Sequence, residues 1–289
     1  VKELVMHIEP FFDDRTFTLT YVVFDEATKD AVVIDPVLDF EPSSGKVWTE
    51  SLDKVARFIE ERGLRLHYSL ETHVHADHLS GGHWLRHRFG AKVAVSARVT
   101  EVQAHFRNVF NWPDFPADGH QFDVLLAPDQ TLRAGALELL AIPTPGHTPT
   151  CMSFKVDDAV FTGDALFLDD VGVGRCDFPK GDAAALYDAV TARLFSLPDA
   201  TRLFTGHDYP PKGREWKAST TVGAAKKNNV QLSASISKAE FVEKRTARDR
   251  TLSAPRLLYP SLQVNIAAGE LPAPESNGRR YLRTPVTGL

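Results

Sequence analysis

The sequence predicts an α/β protein, an αββα sandwich of two mixed β-sheets flanked by helices. Three observations lead there. Segments rich in β-branched and aromatic residues fall into two groups, one before residue 96 and one after residue 121. Each group also holds an amphipathic helix that feeds a strand. Finally, several of the strands run into small-residue turns bearing His or Asp, and a two-layer sandwich leaves its strand-end loops together at one rim.

In order, residues 18–24 (TLTYVVF) and 30–34 (DAVVI) read as an antiparallel pair with residues 25–29 as the turn. Asp35-Pro36 closes the second strand, and the segment from there to Gly45 reads as a surface loop. Leu52, Val55, Ala56 and Ile59 recur at helical spacing, with Gly63 placed to stop the helix. Leu64, Leu66, Tyr68 and Leu70 alternate as a strand. A short helix over residues 83–89, ended by Gly90, leads to a strand over 91–95. Residues 106–120, with Phe110, Trp112, Phe115, Pro113 and Pro116, read as an irregular lobe. Strands return over residues 122–127, 137–142, 152–156 and 159–161, followed by a helix over 182–195 with Ala185, Leu186, Ala189, Val190 and Leu194 on one face, and a strand over 201–205. Residues 216–229 and 237–246 read as helices, the second opened by a capping box of Ser237 and Glu240. Residues 253–289 read as an extended, proline-containing tail. The expected organisation is one catalytic domain over residues 1–230, with a helix and tail over 231–289 packing on it.

The chain of 289 residues is 43% apolar and 25% charged, enough for a sizeable core. Its formal net charge of -5, without a long basic run, gives no general attraction for phosphate backbones or anionic membranes, so neither nucleic acid nor membrane is expected as a partner. Cys151 and Cys176 are the only cysteines and lack CxxC spacing, which suits a reducing, cytoplasm-like compartment. The first 25 residues show no signal-peptide pattern, and no uncharged apolar window is long enough to span a bilayer.

The chemistry is concentrated in four turns. The stretch Thr72-His73-Val74-His75-Ala76-Asp77-His78 follows the strand ending at Leu70. Residues 139–142 run into Pro145-Gly146-His147, residues 159–161 into Thr162-Gly163-Asp164, and residues 203–204 into Thr205-Gly206-His207-Asp208. Imidazole nitrogens and carboxylate oxygens are the donors that suit divalent transition metals. The set His73, His75, Asp77, His78, His147, Asp164 and His207 can hold one ion or two, and the residues alone leave that number open.

The ordered pattern HxHxDH, GH, GD, GH resembles the signature of the metallo-β-lactamase superfamily and covers residues 71–208. Within it the chain is similar to the persulfide dioxygenases (sulfur dioxygenases), in particular the bacterial type with a C-terminal extension. The further matching text is Gly174-Arg175-Cys176-Asp177-Phe178 and His207-Asp208-Tyr209. The resemblance implies a single Fe(II) per chain held by His73, His147 and Asp164, with His75, Asp77, His78 and His207 around it or available to a second metal. It also implies that glutathione persulfide and O2 meet at that ion and yield sulfite and glutathione. Two imidazoles and one carboxylate leave positions for both reactants, and zinc, which has no accessible redox change, could not serve in this way.

Glutathione carries two carboxylates, so cations and donors are expected near the metal, and the candidates are Arg175, Tyr209, Arg214, Lys226 and Lys227. A salt bridge between Arg175 and Asp177 is an equal expectation. The alternative reading is a glyoxalase II-like hydrolase of glutathione thioesters with two zinc ions activating a hydroxide. The tail could also clasp a second copy in a homodimer.

Overall fold

The computed structural model describes residues 6–286. β1 (Met6–Asp13), β2 (Thr18–Asp25) and β3 (Asp30–Ile34) form an antiparallel meander. The short strands β4 (Val37–Glu41) and β5 (Lys46–Trp48) follow, then α1 (Glu50–Glu61) and β6 (Arg65–Leu70). β7 (Leu79–Ser80), α2 (Gly82–Phe89), β8 (Lys92–Ser96), α3 (Val99–Val109) and β9 (Val124–Leu126) complete the first half. The second half holds β10 (Thr131–Ala134), β11 (Leu137–Pro143), β12 (Met152–Val156), β13 (Ala159–Gly163), α4 (Ala183–Ala189), β14 (Arg202–Thr205) and β15 (Ser219–Thr221). Last come α5 (Val222–Asn228), α6 (Lys238–Asp249) and α7 (Leu258–Asn265).

One sheet runs in the order β1-β2-β3-β6-β8-β9 and the other β10-β11-β12-β13-β14-β15. The first is parallel from β3 onward, and the second is antiparallel except for β13 beside β14. Period-two alternation explains why β2 is buried along its whole length. Leu19, Tyr21 and Val23 face the second sheet and meet Leu139, Ala141, Phe154, Phe161 and Phe204. Val22 and Phe24 face the other way and join the cluster of Leu52, Val55 and Ile59 from α1. Each such side chain contributes roughly 1.5–3 kcal/mol through burial. The outer face of the second sheet offers Val160 and Leu203 to Leu186, Val190, Val222 and Phe241, so α6 packs into the same core as α4. The two sheets are also tied by hydrogen bonds: Tyr21 Oη donates to the Thr205 carbonyl at 2.6 Å and the Ala136 N–H donates to Asp30 at 2.9 Å.

Several expectations need correction. The segment after Asp35 is not a plain loop. Val37, Leu38 and Phe40 are buried, and β4 finds backbone partners in β5 and β7, which makes a third small sheet. Residues 216–221 are not helical: Trp216 stacks on Phe12 at 5.4 Å, and β15 pairs with β14 before α5 begins. The tail contains α7. The helix α3 is an addition to the expected elements: it buries Val99, Val102 and Phe106, and its last turns occupy the start of the segment expected to be irregular. β1 and β10 were also missed; β1 is an edge strand with a proline and only partial burial, and β10 is a four-residue edge strand. The helix over 183–189 continues as a wider π turn over Val190–Leu194. Among the described residues no helix is long and apolar enough to cross a membrane.

Candidate metal centre

β6, β11, β13 and β14 all end at the same rim, and the turns after them bring the His and Asp side chains together. One ligand atom each from His73, His147 and Asp164 lie within 4.8 Å of one another, and so do those of His75, Asp77, His78 and His207. His147 Nε2 is 3.5 Å from Asp164 Oδ2, while Asp164 Oδ1 is 3.4 Å from His207 Nε2, which is 3.0 Å from Asp77 Oδ2. These separations suit donors around ions at about 2.0–2.2 Å. Asp164 therefore stands between the two groups.

Every imidazole has one nitrogen occupied by the protein, and this decides which nitrogen is left to bind. Asp35 Oδ1 takes the Nε2–H of His75 at 3.0 Å. Asp35 also accepts from the backbone N–H and the hydroxyl of Thr72, both at 2.7 Å. With its proton committed to Asp35, the Thr72 oxygen can only accept, so His73 donates Nδ1–H to it at 3.0 Å. His147 Nδ1 donates to the Arg175 carbonyl at 2.5 Å and His207 Nδ1 to the Phe17 carbonyl at 3.2 Å. His78 Nδ1 lies 3.3 Å from the Thr18 hydroxyl. The opposite nitrogens His73 Nε2, His75 Nδ1 and His78 Nε2 are buried without a hydrogen-bond partner, and His207 Nε2 meets only the carboxylates of Asp77 and Asp164. So many orphaned donor atoms converging in one place would be costly in a finished core. A bound metal resolves them, and the carboxylate–histidine arrangement fixes the tautomer the metal needs. The residues present therefore fit a metal.

The electrostatics agree. Burial, reinforced by His75 and His147, pulls the His73 imidazolium well below its ordinary value, and burial with His78 does the same to His75. Both are thereby kept neutral, as ligands must be. Burial raises the Asp164 carboxyl, with His207 and His147 acting against it. Burial also disfavours charge on Asp77, but His207 outweighs it and holds that carboxyl well below the usual range. For His207 burial is outweighed by Asp77 and Asp164, which push it up to about 10 in the metal-free chain.

A cavity of about 290 Å³ opens over His147, Asp164 and Asp77, walled by Arg15, Phe17, Arg175, Tyr209, Arg256 and Leu257. Larger cavities lie under the C-terminal tail; the two lined by Tyr281 and Pro272 contain no histidine. Of the expected substrate-contacting residues, two reach the cavity over the ligands. Tyr209 lies parallel to the His207 ring at 5.6 Å and beside Phe17. Arg175 lines the wall, with both Nε and Nη2 on Asp177 at 2.6 Å and Nη1 on the Ser253 carbonyl. The other three are placed elsewhere. Arg214 grips buried Asp208 at 2.8 and 2.6 Å and buttresses the His207 turn from behind. Lys226 pairs with Asp199, and neither it nor Lys227 lies in that cavity wall, because α5 packs its apolar face on the outer side of the second sheet.

Sequence reasoning missed Asp35, Arg15, Arg256 and Asn265. Asp35 had a signal: it follows an apolar strand, as Asp164 does, and turns the chain sharply there with φ at 50°. The others had none, since only folding brings residues 15, 256 and 265 to this rim.

A βαβ-containing sandwich with this ligand set at its rim defines a class, and the sequence comparison agrees: residues 13–207 match the Metallo-beta-lactamase superfamily, and the chain belongs to it. It is 45% identical to a "Probable metallo-hydrolase" of Burkholderia pseudomallei, with 98% of this chain and 100% of that protein aligned. It is 44% identical to a "Beta-lactamase hydrolase-like protein" of Xylella fastidiosa, aligning over 98% of this chain but only 65% of that longer protein. With human "Persulfide dioxygenase ETHE1, mitochondrial" it shares 33% identity over 70% of this chain and 68% of that one. The crystal structure of ETHE1 from Myxococcus xanthus superimposes with a TM-score of 0.74 at 33% identity, covering 91% of this chain and all (100%) of that one.

Proposed function

We infer that the protein is a persulfide dioxygenase that uses one Fe(II) to oxidise glutathione persulfide to sulfite and glutathione. The observation that carries this reading is the group of His73, His147 and Asp164, two imidazoles and a carboxylate gathered together beneath a cavity walled by arginines. Such a facial set with open positions is the arrangement used by non-heme Fe(II) oxygenases. The similarity to proteins named as ETHE1 supports it.

His73, His147 and Asp164 would hold the ion, which when bound supplies redox chemistry toward O2 and a Lewis-acid seat for sulfur. The chain's own residues do the rest. The relay from Asp35 through Thr72 keeps His73 Nε2 bare, and the Arg175 carbonyl does the same for His147 Nε2. Arg256, half exposed and 3.6 Å from Glu41 as its nearest carboxylate, can meet a glutathione carboxylate, whereas Arg15 at the cavity wall is already engaged by Asp13, Asp39 and Glu50. Phe17 and Tyr209 form an apolar cover beside the ligands. Holding the reacting sulfur in one place removes much of the entropic barrier to its encounter with O2.

A second reading has its own observation. Asp164 offers one oxygen to His147 and the other to His207, the geometry of a carboxylate bridging two metals, and the Burkholderia and Xylella relatives carry hydrolase names. That reading makes the protein a binuclear hydrolase of glutathione thioesters. Elemental analysis of the purified protein together with an oxygen electrode separates the two. One iron per chain and O2 uptake on adding glutathione persulfide support the dioxygenase; two zincs and hydrolysis of S-lactoylglutathione without O2 uptake would replace it.

A further inference from the structure

We propose that Asn265, at the end of α7 in the C-terminal segment, is a positioning residue of the metal centre: it clamps the ligand turn through the main-chain carbonyls of His75 and His78. The inference rests on the reading of that turn as a metal site. Asn265 Nδ2 donates to the His75 carbonyl and to the His78 carbonyl, each at 2.8 Å, while its Oδ1 accepts the Ser80 N–H at 2.7 Å. The two carbonyls lie on either side of Asp77, so a single carboxamide closes the loop that presents His75, Asp77 and His78.

The residue type follows from the chemistry. Carbonyls can only accept and an N–H can only donate, so the clamp needs two donors and one acceptor on one short side chain, which among the amino acids is a carboxamide. Asn265 is buried, and its neighbours Leu262, Val264 and Ile266 are fully so; Leu262 and Ile266 pack with Val74, Val93 and Val95 beneath the turn. The clamp is therefore held rigidly by a segment that contributes no ligand of its own. The hydrogen bonds act on backbone atoms, so the sequence of the turn gives no hint of them. His73, the ligand assigned to iron, lies on the same turn two residues before His75 and next to Val74, so the clamp reaches it through the backbone of the turn; supports of a metal ligand typically govern affinity by 10–100-fold.

The test measures metal release rather than turnover. Protein loaded with Fe(II) under anaerobic conditions, or with Co(II), is mixed with excess chelator, and the rate of metal transfer is followed for wild type, Asn265→Ala and Gln263→Ala. Gln263 lies on the same helix and is equally buried, but holds the Arg283 backbone instead of the ligand turn. The expected result is release at least tenfold faster from Asn265→Ala, a changed Co(II) absorption spectrum, and wild-type release from Gln263→Ala. Should Asn265→Ala fail to fold, Asn265→Asp keeps the acceptor for Ser80 and removes both donations, and the same acceleration is expected of it. Wild-type release from a folded Asn265 variant, or equal acceleration in Gln263→Ala, overturns the proposal. Failure of the wild type itself to retain any metal overturns instead the metal-site reading beneath it.

Discussion

The carbonyl of Arg175 receives the Nδ1–H of His147 across 2.5 Å, so a loop belonging to the second half of the chain aims one of the metal-facing nitrogens. The contact uses the backbone of residue 175, whereas the Arg175 side chain is engaged with Asp177 and the Ser253 carbonyl. The two roles can be separated by substitution. Arg175→Ala should retain the wild-type metal content while raising KM for the anionic persulfide several-fold, read by elemental analysis alongside steady-state O2 uptake. Loss of metal in this variant would mean that the side chain, through its tethers, is what holds the carbonyl in place.

Direct ligands should behave differently from their neighbours. His147→Ala removes one of the three groups assigned to iron and should abolish iron retention. His207→Ala should leave iron bound, since His207 belongs to the other group, with Asp77 at 3.0 Å. Parallel iron determinations on the two purified variants decide the matter, and loss of metal from His207→Ala would favour the binuclear reading.

The turn that carries His147 has a steric requirement at the residue before it. Gly146 has φ at 142°, and a Cβ added there would lie 2.4 Å from the Leu186 Cβ and 2.5 Å from the Leu186 backbone. Gly146→Ala should therefore cost about 2–3 kcal/mol of stability by overpacking and backbone strain, and should displace His147. Thermal unfolding in the presence of chelator gives the first effect free of the second; an unchanged melting temperature would contradict it.

The legible part of this protein is the part written in side-chain pattern. The β-branched and aromatic run of residues 18–24 and the helical spacing from Leu52 to Ile59 specify β2 and α1 because each buries one face or both. The ligands stood out because the strands carrying them end in short turns with glycine or proline beside a donor. What the sequence hides is whatever depends on backbone atoms or on distant pairing. β4 exists because Leu79 and Ser80 supply an edge for it and β5 pairs along its other side, and β15 displaces the expected helix because β14 is there to pair with it. Arg214, Lys226 and Lys227 looked eligible as substrate contacts by nearness in sequence to the turns, yet Arg214 is drawn under the site by Asp208 and the lysines sit on a helix facing away. Nearness along the chain says little about side-chain direction.

A pH dependence independent of the metal should come from Asp30. This buried carboxylate accepts from His67 Nε2 at 2.6 Å, from Arg65 and from the Ala136 N–H, and although burial works against its charge, these partners together hold it far below the ordinary carboxylate range. With its folded value depressed, its contribution is complete above about pH 4 and is lost as acid protonates it toward that low value. Asp30→Asn should lower stability at neutral pH by about 2 kcal/mol and flatten the decline between pH 4 and pH 2, as measured by urea unfolding of the metal-free chain. An acid decline identical to wild type would exclude Asp30 as its source.

His73, His75, Asp77 and His78 leave from the sheet built by the first half of the chain, whereas His147, Asp164 and His207 leave from the sheet built by the second. An ion seated among them is a rivet through both layers, and prising the layers apart and expelling the ion become one event. Neither half carries the whole ligand set by itself, so the site is complete only where the two sheets close on each other.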